Sequence, residues 1–131
     1  MAITIGSKAE QTVLVTSEIA ITFLELEAAR VLSTPEMIRL MEQTCRRLVL
    51  PQLDPGHDTV GTHVNVYHLA GAPIGTPVRF TAEITGVEGR RVQFKVEAAS
   101  ETEKIGEGTH ERGIINIAKF AARLAQKLEK K

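Results

Sequence analysis

Apolar positions along this chain keep two different rhythms. Residues Ala9 to Val15 read as a first strand, because Gln11-Thr12-Val13-Leu14-Val15 is rich in β-branched types. In Thr16 to Leu32 the two rhythms compete. Phe23, Leu26, Ala29 and Arg30 suit a helix, whereas Ile19, Ile21 and Phe23 alternate as in a strand, so the segment reads as mixed loop and helix. The clearest helix follows from Thr34 to Leu50, where Met37, Leu40, Met41, Thr44, Cys45 and Leu48 recur at three-four spacing. Thr34 stands where an N-cap belongs, with Pro35 at the first helical position, where its missing amide proton costs nothing. Ser33 with Glu36 offers an alternative capping box one residue earlier, and Pro51 closes the helix.

From Thr59 the period falls to two. Val60, Thr62, Val64, Val66 and His68 alternate on what reads as an inward face, then Val78, Phe80, Ala82 and Ile84. A tight turn at Glu88-Gly89-Arg90 leads back into Val92, Phe94, Val96 and Ala98, and Thr102 to Ile115 completes an antiparallel meander. At Asn116 the helical period returns: Ile117, Phe120, Leu124 and Leu128 form a stripe beside five Lys and Arg, expected to dock as a cover on the sheet. One helix inside a strand-dominated chain is the pattern of an α+β domain, a curved antiparallel sheet wrapped around a central helix. Such a sheet leaves edge strands open, and pairing two edges in a homodimer removes that liability.

Composition narrows the class further. The 131 residues suit one domain spanning 1–131, and sixteen Lys+Arg balance sixteen Asp+Glu, so there is no basic footprint for nucleic acid. The single cysteine, Cys45, forbids an intramolecular disulfide and any zinc site built on paired cysteines. No signal peptide and no run of about eighteen apolar residues is visible, so a cytoplasmic protein without membrane contact is expected.

Some polar residues break the pattern. Glu42 lies one step from the apolar helix face, where a carboxylate can serve as base or nucleophile, although pairing with Arg46 at helical spacing also accounts for it. Thr34, a little over two turns earlier, sits at a helix start, where free amide protons favour an oxyanion. His68 ends a strand beside the loop Leu69-Ala70-Gly71-Ala72-Pro73, a usual place for sites. His57, His63 and His110 are further candidates, but no two histidines have helical ligand spacing, so no metal site is expected. Gly61 inside a strand marks a bend or a close backbone approach, as do Gly106 and Gly108.

The stretch Ser33-Thr34-Pro35-Glu36-Met37-Ile38-Arg39-Leu40-Met41-Glu42 resembles the central helix of hotdog thioesterases of the fluoroacetyl-CoA thioesterase-like family. Leu53-Asp54-Pro55-Gly56, Val60-Gly61-Thr62, Val66-Tyr67-His68, Val87-Glu88-Gly89-Arg90-Arg91 and Gly108-Thr109-His110-Glu111-Arg112 resemble that family in the same order. The resemblance implies a hotdog fold with an extra C-terminal helix and hydrolysis of a short or medium acyl-CoA. It puts the catalytic threonine, glutamate and histidine on Thr34, Glu42 and His68. By the same resemblance, the glycine near the thioester carbonyl is Gly61, and Arg112 lies close to the substrate.

No cofactor is implied beyond the coenzyme A moiety of the substrate itself, whose phosphates are expected near Arg79, Arg90 or Arg91. The chain departs from fluoroacetyl-selective members before the helix. Those members use phenylalanines as a lid, and here Phe23 is the only aromatic in that segment, which argues against fluoroacetyl selectivity. An acyl-thioester dehydratase and a non-catalytic acyl-CoA binding module are the competing readings. Whether dimers pair further into tetramers is open.

Overall fold

The computed structural model describes residues 2–130. Five antiparallel strands, β1 (Lys8–Leu14), β2 (His57–His68), β3 (Pro77–Glu88), β4 (Arg91–Ala99) and β5 (Lys104–Asn116), form one sheet in the order β1-β3-β4-β5-β2. Helix α1 (Thr34–Val49) lies against the inner face, and α2 (Ile117–Glu129) follows β5. Inward positions of the central strands are the alternating residues of the sequence: Val78, Phe80, Ala82 and Ile84 on β3 and Val92, Phe94, Val96 and Ala98 on β4 are all buried. Met37, Leu40, Met41, Cys45, Leu48 and Val49 of α1 complete that core. A buried apolar side chain contributes about 1.5–3 kcal/mol relative to exposure, so this two-layer contact is what holds helix and sheet together.

Four expectations need correction. Ser33, not Thr34, caps α1: its side chain accepts a hydrogen bond from the Glu36 amide at 3.2 Å, which leaves the Thr34 hydroxyl available elsewhere. The 16–32 segment contains no α-helix, only single 3₁₀ turns at Ser17–Ile19 and Glu27–Ala29. It is tied down by bridges Ala20↔Leu32 and Val31↔Pro73. Helix α2 is not a docked cover. It has no buried residue, and Ile117, Leu124 and Leu128 of its apolar stripe are exposed. Its amphipathic period shows that one face is apolar and is silent about which body that face meets.

Strand β2 also departs from the simple alternation. Gly61 pairs with Arg112 and His63 with Glu111, so Thr62 is an extra residue, a β-bulge. Its hydroxyl donates to the Glu111 carbonyl at 3.1 Å. The bulge reverses parity: Thr59 and Gly61 share the inner face with Arg112, and beyond it Val64, Val66 and His68 take that face, opposite His110, Gly108 and Gly106. Val60 and Thr62 therefore face outward, contrary to expectation. No helix of the described residues is long and apolar enough to cross a membrane.

Candidate active site

Helix α1 and strand β2 run side by side in opposite directions, and three contacts mark the run. At one end the Thr34 hydroxyl meets His68 Nδ1 at 2.7 Å. In the middle, Glu42 lies against Gly61 and Arg112. At the far end Arg46 binds Asp58 bidentately at 3.0 and 2.7 Å. Arg46 is thus occupied, and the i,i+4 pairing of Glu42 with Arg46 does not form.

The Thr34–His68 pair owes its existence to Ser33. Because Ser33 serves as the cap, Thr34 is the first helical residue, and its hydroxyl points away from the helix end. His68 Nε2 is buried without a hydrogen-bond partner among the described residues. A buried polar atom with no partner is uncommon and calls for a function. Burial lowers the imidazole pKa from its ordinary value, opposed by a backbone contact at Ala70, which leaves the neutral ring favoured. Beside the pair opens a cavity of about 360 Å³ walled by Ile21, Phe23, Val31, Leu32 and Leu69.

The Glu42 cluster is more polar and better braced. Arg112 is nearly inaccessible, with 6% of its side chain exposed against 37% for Glu42. Its Nε donates to Thr59 Oγ1 at 2.7 Å, Nη2 to the Thr59 carbonyl at 2.9 Å, and Nη1 to Glu42 Oε2 at 3.5 Å. His110 Nδ1 lies 2.7 Å from the His63 carbonyl, which can only accept, so Nδ1 carries the proton. Nε2 then accepts from Arg112 Nη1 at 3.2 Å. Burial holds the His110 pKa low, and the ring stacks on Phe94 with centroids 6.0 Å apart. Burial also pulls the Arg112 pKa down, while Glu42 opposes that pull. A Cβ at Gly61 would sit 2.8 Å from Glu42 Oε2, so any side chain there displaces the end of that carboxylate.

The structure therefore joins Thr34 to His68, and Glu42 to Gly61 and Arg112, as two half-sites. Eight residues of α1, about 12 Å at 1.5 Å per residue, separate them. Thr59 and His110 are the supporting residues that sequence reasoning underused. The usable signal was parity: Thr59, His110 and Arg112 are polar residues at inward positions of otherwise apolar strands. Among the described residues there is no group of three or more His, Cys, Asp or Glu placed to hold a metal ion.

Residues 15–118 match the family model described as fluoroacetyl-CoA-specific thioesterase. A curated fluoroacetyl-CoA thioesterase from Streptantibioticus cattleyicolor is 44% identical over 101 residues, covering 77% of this chain and 73% of that protein. A solved structure of a fluoroacetyl-CoA thioesterase superposes with a TM-score of 0.86 at 35% identity, over 97% of this chain and 98% of that one. A hot-dog-like protein from Thermanaerovibrio acidaminovorans shares the fold, with a TM-score of 0.86 at 24% identity over 94% and 91% of the two chains.

Proposed function

This chain belongs to the fluoroacetyl-CoA-specific thioesterase family and is a thioester hydrolase; on that premise we propose that it cleaves short or medium acyl-CoA at a site completed by a second copy of itself. The observation that carries the reading is the division of Thr34–His68 and Glu42–Gly61–Arg112 between the two ends of one edge strand. Gly61 and His68 lie roughly 20 Å apart along β2. A two-fold axis near Val64 and Asn65 exchanges those ends and sets Gly61 opposite the partner's His68. Val64 and Tyr67, 41% and 65% exposed on this edge, are the apolar residues such a strand pairing would cover.

In the chemistry we assign, Glu42 takes a proton from a water whose oxygen adds to the thioester carbonyl carbon. Gly61 lets that carbonyl approach the strand, and its backbone with the amino end of the partner's α1 supplies donors to the oxyanion. Collapse breaks the carbon–sulfur bond, and the thiolate collects the proton through the partner's His68, aligned by the partner's Thr34. The products are a carboxylic acid and free coenzyme A. If Glu42 instead attacks directly, a mixed anhydride forms and the thiolate leaves; water that opens the anhydride at the Glu42 carbonyl leaves ¹⁸O in Glu42 after a single turnover in ¹⁸O-water, a label the general-base route cannot produce.

The open groove beside Thr34 and His68, with Ile21, Phe23, Val31, Leu32 and Leu69 along it, leaves an acyl chain longer than two carbons unobstructed, which supports the broader substrate class. Cys45 supports a cytoplasmic setting: it is buried, and burial pushes its thiol up to about 12, an inert thiol that needs no oxidising compartment.

Mixing two inactive variants, Glu42→Ala and His68→Ala, tests the shared site. Random exchange gives half heterodimers, each with one intact site of two, so activity should recover to about a quarter of wild type. No recovery after verified subunit exchange would refute a site divided between copies. Wild-type turnover in either folded variant would refute the catalytic assignment.

A further inference from the structure

Two apolar faces of this chain meet nothing within it. The first is on α2, where none of thirteen residues is buried. Ile117, Leu124 and Leu128 lie open on the face opposite Lys119, Ala122 and Arg123, the three that look onto Gly89 and Arg90 of the β3–β4 turn. Isolated helices shorter than about 12–15 residues are marginal in water, so a helix this bare draws its stability from packing on another body. The second face is the 16–32 segment. There Phe23, Leu24 and Leu26 are each more than half exposed, with Phe23 on the rim of the Thr34–His68 groove.

The charges of the two faces are complementary. The segment carries Glu18, Glu25 and Glu27 against one base, Arg30, which Glu27 already holds at 3.1 Å. Glu18 and Glu25 have no ion pair or side-chain hydrogen bond among the described residues. On α2, Lys119, Arg123 and Lys127 follow one another at i,i+4 along one flank of the stripe, their side chains equally unpaired, and Glu129 is the helix's single acid.

Within one chain these faces do not meet. The Ile117 amide donates to the Gly56 carbonyl at 3.0 Å, so α2 starts beside the His57 end of β2. The segment is tied at the other end, where Val31 bridges Pro73 and Phe23 shares the groove with His68. Strand β2 holds those ends about 36 Å apart, and α2 reaches about 20 Å. The two-fold axis that sets Gly61 opposite the partner's His68 closes the gap. In that register His57 stands opposite the partner's Ala72, and α2 begins two strand spacings, roughly 10 Å, from the partner's Pro73 and Val31. Both faces lie on the α1 side of the sheet: His68 in the groove and Ile114, which shares a cavity with Ala122, are inner-face residues.

We propose that each α2 docks its Ile117–Leu124–Leu128 stripe on the partner's Phe23–Leu26 segment, with its basic flank toward the partner's Glu18 and Glu25. The docked helix roofs the partner's acyl groove and limits the room above the chain. This inference rests on the shared-site reading and adds to it an element that sets acyl specificity.

The test follows amide hydrogen exchange of residues 121–128 in the full-length protein. In wild type these amides should exchange at least ~tenfold more slowly than in Leu24→Ser/Leu26→Ser, whose exposed changes lie at the far end of the same chain. Exchange at the rate of a free peptide, or equal exchange in both proteins, would overturn the docking. Protection that comes only with vesicles of phosphatidylserine and phosphatidylcholine would also overturn it, making a lipid surface the occupant. In Leu124→Glu/Leu128→Glu, kcat/KM for octanoyl-CoA relative to acetyl-CoA should fall at least ~tenfold, the lower end for uncovering one leucine-sized contact. An unchanged ratio would overturn the roof. Sedimentation of the wild type keeps the two readings apart: a dimer with unprotected α2 refutes this docking alone, whereas a monomer refutes the shared site along with it.

Discussion

Replacing Gly61 by alanine isolates the Glu42 half-site from fold stability. The new methyl would lie 2.8 Å from Glu42 Oε2, 3.3 Å from His110 Cε1 and 3.6 Å from Arg112 Nη1. Non-bonded carbon and oxygen need about 3.4 Å, so the carboxylate must withdraw by roughly 0.6 Å. His110 is pinned to the His63 carbonyl and Arg112 to Thr59, so the flexible end of Glu42 is what yields. A misplacement of about 1 Å at a reacting centre costs ~10²-fold, which puts the expected fall in kcat between ~10- and ~10²-fold. Gly61 does not have the left-handed φ that favours glycine, and alanine removes freedom from the unfolded chain, a gain of about 0.4–1 kcal/mol. Stability should therefore hold or rise while turnover drops. The assay is release of coenzyme A followed with a thiol reagent, beside a thermal melt. Adding Glu42→Asp, one methylene shorter, should return part of the lost rate. Full activity in Gly61→Ala with an unchanged melt would refute the claim that this carboxylate position matters.

Further outcomes follow from the same geometry. Ser33→Ala should cost about 1 kcal/mol of stability, the value of an N-cap, with kcat largely kept, whereas Thr34→Ala should melt near wild type and lose turnover; urea titration and initial rates separate the two. Because burial lowers the His68 pKa, the ring is neutral above its ordinary 6.5 and gains its proton only below that value. The acid limb of kcat/KM should accordingly lie below pH 6.5, and a limb above it would contradict a buried imidazole. Burial also depresses the pKa of His110, so the unfolded chain binds a proton there that the folded one resists; folding stability should fall as pH drops below 6.5, with a shallower slope in His110→Gln. His110→Leu should cost about 1–3 kcal/mol in urea melts, because the His63 carbonyl and an Arg112 N–H lose their partners.

The sheet was legible because β3 and β4 are half-buried strands whose inward residues are apolar without exception, so period two is undiluted. Helix α1 was equally clear, yet its first residue was not. Ser33 and Thr34 are both good caps, and the structure gives the role to Ser33, whose side chain accepts from the Glu36 amide while the Thr34 hydroxyl meets His68. Thr34, Glu42 and His68 each stood out as polar residues at apolar edges, and the eight-residue spacing of the first two was plain, but nothing local tells that His68 pairs with Thr34 and lies away from Glu42. Arg112 came from resemblance rather than pattern, because a charged residue on a strand reads as solvated until its parity is known. The stripe on α2 was misjudged for a related reason: amphipathicity records a face, and the face turned out to look away from its own domain.

The threonine that interrupts β2 has a consequence for how this family can vary. Gly61 and His68 are separated by an odd interval, which in an unbroken strand sends them to opposite surfaces; the spare residue absorbs the mismatch. Losing Thr62 itself would therefore be survivable, since the shortened strand would keep both residues inward. Deleting Asn65 with the bulge retained, at a site that looks equally unimportant, would turn one of them outside and silence the enzyme while leaving the hydrogen-bonded ladder intact. Tolerance to length change along this edge should thus depend on odd and even counts, not on how exposed a residue is.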